Sequence, residues 1–246
     1  MKGLAGRHAV ITGASSGIGL AAARRLVSEG CSVSGIDLSV PEDASLFTHF
    51  VIADVGNQGD VESAFASIRE AEGEVDVLIA AAGIDRCDTL IDTSPEEWRR
   101  LIDVDLNGTY YAAREVLPAM IQRRRGSVVF VSSAIGSVGH WRRSAYCAAK
   151  GGVENLTRAM ALDHGRQGVR VNCVAPGLID TPLIRGGKVG GAANPEAMTE
   201  LVDRFHAIPR IGRAEEVAAA IAFLASDEAS FITGVVLPVD AGWTAQ

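Results

Sequence analysis

The chain has 246 residues, of which 48% are hydrophobic and only 5% aromatic, and its formal net charge is −7. Such a chain can bury a large core of Ala, Val, Ile and Leu side chains, as parallel strands covered by close-packed helices require. The acidic balance argues against nucleic-acid binding, and no apolar run approaches the roughly 20 residues that span a bilayer.

The N-terminal residues and the cysteines predict a cytoplasmic location. Residues 1–6 run into an apolar segment without the pattern of a signal peptide. The four cysteines show neither Cys-x-x-Cys spacing nor a neighbouring His cluster; they are Cys31, Cys87, Cys147 and Cys173. We therefore expect reduced thiols, and no metal site.

A glycine-rich segment follows the first predicted strand. The strand is His8–Thr12, the glycines lie in Gly13–Gly19, and an apolar-periodic helix, Leu20–Glu29, comes next. This order directs backbone N–H groups and a helix N-terminus at a phosphate, and it predicts dinucleotide binding. The residues assigned to this turn are Gly13, Ser15, Ser16, Gly17, Ile18 and Gly19. A tight turn without a ligand also favours glycine, so the segment alone leaves that alternative open.

Asp37 closes the second predicted strand, Ser32–Ile36, about 20 residues beyond the glycines. A carboxylate at this point accepts hydrogen bonds from the adenosine ribose and repels a 2′-phosphate, and no Arg or Lys follows nearby. Asp37, with Leu38 beside it, therefore predicts NAD rather than NADP. The alternative is a solvated aspartate in a turn.

Strands and helices alternate through the rest of the chain. They are predicted at Phe50–Ala53 (strand), Gln58–Ala71 (helix), Val75–Ile79 (strand), Ser94 towards Gln122 (helix), Ser127–Val131 (strand), 145–164 (helix), Val169–Val174 (strand), 214–225 (helix) and 232–239 (strand). The pattern predicts an α/β fold: one Rossmann-type domain over residues 1–246, with a doubly wound, mostly seven-stranded parallel β-sheet flanked by helices on both faces. Residues 182–209 are expected to form a substrate lid, helical around Pro195–Phe205.

Ligands of such sheets bind beyond the carboxyl ends of the strands. Glycine and polar residues lie at these ends along the whole chain, namely Gly13, Asp37, Asp54, Gly83, Ser133 and Pro176–Gly177. Their convergence predicts one ligand site at one edge of the sheet.

Tyr146 and Lys150 are four residues apart in an Ala-rich run, so they share one face of a helix. Free tyrosine has a pKa of about 10 and is a poor base. An ammonium about 4 Å away supplies on the order of 4 kcal/mol at an effective dielectric near 20, enough to make the phenolate accessible near neutral pH. Ser133 can donate a hydrogen bond to a substrate oxygen. The alternative is a partly exposed helix pair without a catalytic role.

Together these motifs resemble the short-chain dehydrogenase/reductase family over essentially the whole chain. The resemblance is carried by Thr12–Gly19, Asp54-Val55, Ser133 with Tyr146-x-x-x-Lys150, Pro176–Pro182 and Ile232–Gly242. It implies that Tyr146 exchanges a proton with the substrate oxygen while hydride moves to or from nicotinamide C4. Ser133 would hold that oxygen, and Lys150 would lower the tyrosine pKa and bind the nicotinamide ribose.

The resemblance also implies further cofactor contacts and a homotetramer, with interfaces on long helices such as 97–122 and 145–164. The further cofactor contacts are Asp54, Val55, Ala81, Ala82, Gly83, Tyr146, Lys150, Pro176, Gly177, Ile179 and Thr181.

Two positions depart from the family pattern. Ala80-Ala81-Ala82-Gly83 stands where the family has Asn-Asn-Ala-Gly, and Asp105 stands where it has a fourth catalytic residue, an Asn. That Asn is thought to hold a water through its backbone carbonyl, which Asp supplies equally well, so Asp105 is expected to keep the role. The alternative is that Asp105 only ends or kinks its helix.

These observations predict an NAD-dependent oxidoreductase that interconverts a secondary alcohol and a ketone. One alternative is an NADPH-dependent 3-oxoacyl-carrier-protein reductase, which Asp37 argues against. Another is a catalytically silent nucleotide-sensing protein, which the intact Ser133, Tyr146 and Lys150 argue against.

The substrate itself is not encoded in a recognisable motif. The candidate pocket residues are Ile135, His140, Trp141, Arg142, Arg143, Leu178, Leu183 and Arg185, with Asp85 and Arg86 on the opposite wall. The arginines suit a carboxylate or phosphate on the substrate, although such arginines are more often solvent-facing.

Overall fold

The computed structural model describes residues 1–186 and 195–245. Its strands and helices are, in chain order, β1 (His8–Thr12), α1 (Gly17–Ser28), β2 (Ser32–Asp37), β3 (His49–Ile52), α2 (Gln58–Glu72), β4 (Val77–Ala80), α3 (Pro95–Ile102), α4 (Gly108–Arg123), β5 (Gly126–Val131), α5 (Ala134–Ser137), α6 (Ser144–His164), β6 (Val169–Pro176), β7 (Ile179–Asp180), α7 (Pro182–Arg185), α8 (Pro195–Phe205), β8 (Gly212–Arg213), α9 (Ala214–Ala225) and β9 (Val236–Val239).

Seven strands form one parallel sheet in the order β3-β2-β1-β4-β5-β6-β9. The predicted doubly wound parallel sheet is therefore confirmed. β1 pairs with β2 on one side and with β4 on the other, so the chain reverses its winding direction there. This is the position at which ligands bind in sheets of this kind.

Alternate residues of the central strands enter two different cores. Ala9 and Ile11 pack with α1 and α9 on one face, whereas Val10 packs with α2, α4 and α6 on the other. Both faces are covered, which is why β1 is buried at every position. Alanines in the helices allow close approach, in keeping with the low aromatic content.

The helical region predicted from Ser94 towards Gln122 is divided in two. α3 begins as expected, with a capping box between Ser94 and Glu97. A π-helical turn, Asp103–Asn107, then separates α3 from α4. A π turn inserts one residue and changes which side chains face inward, and it leaves Asp105 buried.

The last strand begins at Val236, so the predicted start at 232 is wrong. Gly234 has a φ of +78°, which bends the backbone out of an extended path. Two backbone hydrogen bonds still join this stretch to β6, from the Gly234 amide (2.7 Å) and to the Val235 carbonyl (2.9 Å). The Asn172 side chain adds two more: it donates to the Ile232 carbonyl (3.0 Å) and accepts from the Val235 amide (3.2 Å).

A second, two-stranded parallel pair joins β7 to β8 and was not predicted. This pair joins the residues that flank the segment expected to act as a lid, residues 182–209. Within that segment the predicted helix at Pro195–Phe205 is confirmed, and residues 187–194 lie outside the described residues.

Within residues 1–186 and 195–245, no helix has both the length and the apolar character needed to cross a membrane. The same residues contain no group of three or more His, Cys, Asp or Glu side chains placed to hold a metal ion.

We predict that Asn172→Ala lowers the free energy of unfolding by about 2 kcal/mol, because it leaves the Val235 amide without its acceptor and removes a donor from the Ile232 carbonyl. Urea denaturation measures the change. Thr157→Val is the matched control: it also removes a fully buried polar group, but the Thr157 hydroxyl bonds a helix carbonyl, so its effect is about 1 kcal/mol or less. Equal losses of unfolding free energy in the two variants would show that the Asn172 hydrogen bonds do not hold residues 232–235 against β6.

Candidate active site

Two adjoining cavities open at the carboxyl ends of the central strands. One, of about 290 Å³, contains Ser133, Tyr146 and Lys150 and is called the catalytic cavity below. The other, of about 200 Å³, runs along the glycine-rich turn and is called the nucleotide groove. Ile18, Ala81, Gly83, Thr181 and Leu183 line both, so one extended ligand can occupy the two together.

Nearly all predicted cofactor residues line one of these two cavities. They are Gly13, Ser16, Gly17, Ile18, Gly19, Asp37, Leu38, Asp54, Val55, Ala81, Ala82, Gly83, Tyr146, Lys150, Pro176, Gly177, Ile179 and Thr181. Ser15 is the exception: its hydroxyl lies 3.3 Å from that of Ser39, and its amide donates to Asp37.

The glycine-rich turn has the geometry of a phosphate site. Gly13 has a φ of +69°, and a Cβ there would lie 2.6 Å from the Ala82 amide nitrogen. A Cβ on Gly19 would lie 2.0 Å from the Gly13 carbonyl oxygen, so α1 packs too closely on β1 for any side chain. The Ser16 side chain at the N-cap accepts no helix amide, which leaves the first amides of α1 available to an anion.

Asp37 lies in the nucleotide groove at the end of β2. Its carboxylate accepts hydrogen bonds from the Ser15 amide (2.9 Å) and the Leu38 amide (2.6 Å). These two bonds fix the carboxylate beside the turn. The residues present therefore suit a nucleotide with free ribose hydroxyls.

The far end of the groove contains a salt bridge that the sequence did not indicate. Arg100, on α3, donates to Asp54 at 2.8 Å, and the Gly56 amide donates to the other oxygen at 2.9 Å. Burial acts to raise the pKa of Asp54, but these two hydrogen bonds outweigh it and lower the pKa. Arg100 is 46 residues from Asp54, and no local spacing relates the two.

Ser133, Tyr146 and Lys150 meet in the catalytic cavity. α6 places Tyr146 and Lys150 on its inner face, where they are 8% and 4% exposed, and Ser133 follows β5 as the N-cap of α5. The pair is therefore buried and not partly exposed, as the alternative without a catalytic role assumed.

Lys150 is held by an acid rather than directed at the tyrosine. Its Nζ lies 3.3 Å from Oδ2 of Asp105 and donates to the Val131 carbonyl at 3.1 Å. Its distance from the centre of the Tyr146 ring is 5.7 Å. The positive charge of Lys150 is thus compensated by Asp105.

The pKa of Tyr146 is raised well above its ordinary value, first by burial and then by the carboxylates of Asp105 and Asp85. The Ser133 side chain and Arg143 oppose this rise without reversing it. The sequence analysis expected Lys150 to lower this pKa, whereas in this arrangement Asp105 compensates the charge of Lys150 and the net shift of the Tyr146 pKa is upward. At neutral pH Tyr146 is a protonated group, ready to donate.

Asp105 acts through its side chain as well as its backbone. It is fully buried, its Oδ1 accepts from the Ile84 amide at 2.8 Å, and its carbonyl accepts from the Thr109 hydroxyl at 3.1 Å. Burial raises the pKa of Asp105, and Lys150 opposes the rise. The sequence analysis assigned the role to the carbonyl and did not foresee the contact with Lys150.

At Gly83 the loop after β4 comes close to this ion pair. A Cβ on Gly83 would lie 3.2 Å from Lys150 Nζ and 3.3 Å from Asp105 Oδ2. Those distances are tighter than ordinary contacts, so a side chain here would require one of the two charged groups to shift by a few tenths of an ångström.

Seven of the eight candidate pocket residues line the catalytic cavity, as does Asp85. The seven are Ile135, His140, Trp141, Arg142, Arg143, Leu178 and Leu183. Two predicted positions are wrong: Arg185 is exposed and forms two hydrogen bonds with Asp180 (2.6 and 2.7 Å), and Arg86 pairs with Asp88 and Glu97. In both cases a nearby carboxylate holds the guanidinium away from the cavity.

Glu154 is a functional candidate that the sequence analysis missed. It is 3% exposed and accepts hydrogen bonds from the hydroxyls of Ser132 (3.1 Å) and Ser137 (2.8 Å), on either side of Ser133. Ser132 also donates to the Lys150 carbonyl at 3.0 Å. Glu154 therefore ties the Ser133 segment to α6. The available signal was its spacing, four residues after Lys150 on the same helix face.

An aromatic cluster closes one end of the catalytic cavity. His140 lies 5.4 Å from Phe205 and 5.8 Å from Trp243, and these two rings stack at 4.5 Å. Arg204 lies over the Trp141 ring at 4.5 Å. The cluster joins the loop before α6, helix α8 and the C-terminal segment, which no sequence motif connects.

Comparisons with known proteins match almost the whole chain. A family model described as enoyl-(acyl carrier protein) reductase matches residues 13–244. The meso-2,3-butanediol dehydrogenase of Serratia marcescens is 41% identical, covering 96% of this chain and 94% of the relative. The 3-oxoacyl-[acyl-carrier-protein] reductase of Salmonella typhimurium is 34% identical, covering 96% and 97%. The ligand-free aldohexose dehydrogenase of Thermoplasma acidophilum superposes with a TM-score of 0.92 at 39% identity, covering 99% of this chain and 96% of that one.

We predict that Asp105→Asn moves the pH dependence of alcohol oxidation to lower pH. The family resemblance assigns Tyr146 as the base of the oxidation, and Asp105 is one of the groups that raise the Tyr146 pKa. An amide removes that negative charge, so the phenolate forms at lower pH. The measurement is kcat/KM for a secondary alcohol as a function of pH.

Asp103→Asn is the control for this experiment. Asp103 lies in the same π turn, but it accepts from Asn107 at 2.8 Å and makes no ion pair with Lys150. An upward movement in Asp105→Asn, or equal movements in the two variants, would contradict the assignment.

Proposed function

Because the chain belongs to the short-chain dehydrogenase/reductase family of oxidoreductases, we propose that it uses NAD to interconvert a secondary alcohol and a ketone. The observation that carries the proposal is the meeting of Ser133, Tyr146 and Lys150 in one buried cavity that adjoins the nucleotide groove. Each of these residues then has a role that its surroundings permit.

Tyr146 is the general acid and base of the proposed reaction. Its hydroxyl gives a proton to the carbonyl oxygen during reduction and takes one from the alcohol during oxidation. Ser133 donates a hydrogen bond that holds the same oxygen. Because the Tyr146 pKa is raised, the proton is in place for reduction at neutral pH, and oxidation gains rate as the pH rises.

NAD, when bound, supplies the nicotinamide carbon that exchanges hydride with the substrate. The first amides of α1 are placed to hold its pyrophosphate, and Asp37 to accept bonds from its adenosine ribose. Lys150 is the candidate partner of the nicotinamide ribose, and Ile179 and Thr181 of the carboxamide, since all three line the catalytic cavity.

The charge of the nucleotide groove supports NAD over NADP. Asp37 would lie beside a 2′-phosphate and repel it. Arg100 is the one Lys or Arg among the described residues that line the groove, and its charge is compensated by Asp54. An NADPH-dependent 3-oxoacyl-carrier-protein reductase therefore remains the second candidate, supported by the Salmonella relative and opposed by Asp37.

A catalytically silent nucleotide sensor is the third candidate. The burial of Tyr146 and the ordered contacts around Ser133 argue against it, because a sensor needs neither. We further propose a cytoplasmic homotetramer built from single-domain subunits. The exposed Leu162 on α6 fits an interface on that helix.

We predict that Tyr146→Phe reduces kcat for NAD-dependent oxidation of secondary alcohols by on the order of 10²–10⁴-fold, since the proton acceptor is lost. NADH binding, measured by titration, should persist because the ring remains. Tyr110→Phe is the control, a hydroxyl that lies outside both cavities on the exposed side of α4. NADH binding by the wild type without turnover of any alcohol or ketone in a panel would favour the sensor.

We predict that the wild type binds NADH more tightly than NADPH and that Asp37→Ala reduces this preference by about tenfold or more. The change removes a carboxylate that repels the 2′-phosphate and accepts from the ribose. Titration of both cofactors gives the ratio, and Asp43→Ala controls for loss of a nearby surface acid. Preference of the wild type for NADPH would overturn the NAD assignment and place the acyl-carrier reductase first.

A further inference from the structure

A buried ion pair in the wall of the catalytic cavity has no role in the chemistry proposed above. Arg143, directly before α6, donates from Nη1 to Oδ1 of Asp85 at 2.9 Å. The two side chains are 4% and 7% exposed. Replacing such a pair by apolar residues is often neutral or stabilising, so the pair by itself is weak evidence for a stabilising role.

We infer that the Asp85–Arg143 pair binds a second, uncharged oxygen of the substrate, so that the substrate is a diol, a hydroxyketone or another neutral polyhydroxy compound. This inference rests on the proposed alcohol–ketone chemistry and specifies the substrate class of the same cavity.

Hydrogen-bonding capacity on the carboxylate side remains unused. The Arg143 guanidinium and the Arg86 amide (2.7 Å) both donate to the same atom, Oδ1 of Asp85. Oδ2 accepts no hydrogen bond from any residue that the structure describes. Oδ2 is not a fully buried atom and keeps contact with the open cavity, so a substrate hydroxyl that displaces water there would supply a donor.

The guanidinium side also has capacity left. An arginine carries five N–H donors, and within residues 1–186 and 195–245 only Nη1 of Arg143 makes a side-chain hydrogen bond. The pair therefore keeps donors on the guanidinium and an acceptor on the carboxylate, which is the combination that a hydroxyl group uses. A carbonyl oxygen can use the donor alone.

The local charge balance selects against an anionic substrate. Asp85 compensates Arg143, and Asp105 compensates Lys150, so each buried cation of the cavity already faces an acid. A substrate carboxylate would meet Arg143 only beside the negative Asp85. The earlier expectation that Arg143 binds an anion therefore loses its basis.

The backbone around Arg143 directs its side chain inward. Arg142 has a φ of +58°, a left-handed conformation that is unfavourable for an arginine. Arg142 itself is exposed, whereas the next residue, Arg143, is buried in the cavity wall. The strained turn thus separates one solvent-facing arginine from one cavity-facing arginine.

The pair and the reacting groups are within reach of one small molecule. Both line the same cavity of about 290 Å³, and Asp85 and Arg143 are close enough to Tyr146 to act on its pKa. Several of the remaining walls are apolar, formed by Ile135, Leu178, Leu183, Ile184, Leu201 and Trp243. In such a cavity a second hydroxyl without a partner would weaken binding, so the polar pair confers specificity.

The test compares kcat/KM for matched four-carbon substrates with NAD: 2,3-butanediol, 2-butanol and 2-hydroxybutyrate. A second set, 2,4-pentanediol, 2-pentanol and 3-hydroxybutyrate, moves the second oxygen one carbon further from the reacting alcohol. Assays are run near pH 8, because burial raises the pKa of Asp85 to about 6 and the residue must be ionised. Each ratio compares kcat/KM for two substrates of the same variant, so a loss of overall activity in that variant cancels.

In the wild type we expect at least one diol to exceed its mono-ol by about tenfold or more, and the hydroxy acids to be poor substrates. Asp85→Asn leaves Arg143 uncompensated, so the ratio of hydroxy acid to diol should rise by about tenfold or more. Asp88→Asn, a nearby change whose carboxylate pairs with Arg86, should leave all ratios as they are.

The Asp85→Asn variant buries the Arg143 guanidinium without its carboxylate partner, which destabilises the folded protein. The neutral double variant Asp85→Asn/Arg143→Gln avoids that charge and should reduce the preference for a diol over its mono-ol. A wild type that prefers mono-ols or hydroxy acids would overturn the inference, as would ratios that are the same in the wild type and the double variant. Absence of turnover on every substrate would instead remove the proposed function, and the inference with it.

Discussion

The burial of the Lys150 ammonium is the constraint on which the rest of the site depends. An ammonium taken out of water needs a compensating charge and hydrogen bonds, and here Asp105 and the Val131 carbonyl provide them. Asp105 reaches Lys150 because the π turn presents it to the interior. The loop after β4 comes close to the pair at Gly83, where a Cβ would lie 3.2 Å from Lys150 Nζ. The buried charge of Lys150 thus relates three features of the chain: the π turn, Gly83 and Asp105.

Charge compensation continues across the catalytic cavity. Asp85 and Arg143 form a second buried pair, and the two carboxylates together raise the Tyr146 pKa beyond the effect of burial. The site therefore has nearly neutral walls around a protonated phenol, rather than a phenolate stabilised by an excess of positive charge. Such a site favours a neutral substrate and holds the proton that reduction consumes.

The parallel sheet makes this arrangement possible by bringing distant segments to one edge. The glycine turn after β1, Asp37 at the end of β2, the loop after β4 and Ser133 after β5 all lie at strand carboxyl ends. Glu154 and the aromatic cluster of His140, Phe205 and Trp243 then fix the loop between Ser133 and Tyr146. The nucleotide groove and the catalytic cavity are adjacent because the strands that form them are adjacent.

The sequence by itself determined the strand and helix order, the parallel sheet, the glycine turn and the positions of Ser133, Tyr146 and Lys150. These features depend on residues that are close in the chain, through apolar periodicity or through spacing along one element. Tertiary structure alone decided the π turn, the late start of β9, the outward positions of Arg86 and Arg185 and the two buried ion pairs. Asp85 and Arg143 are 58 residues apart, and whether either charge is buried depends on packing that their separation in the chain does not encode. For the same reason the direction in which the Tyr146 pKa is shifted depends on burial and on neighbouring acids, and the Tyr-x-x-x-Lys spacing does not determine it.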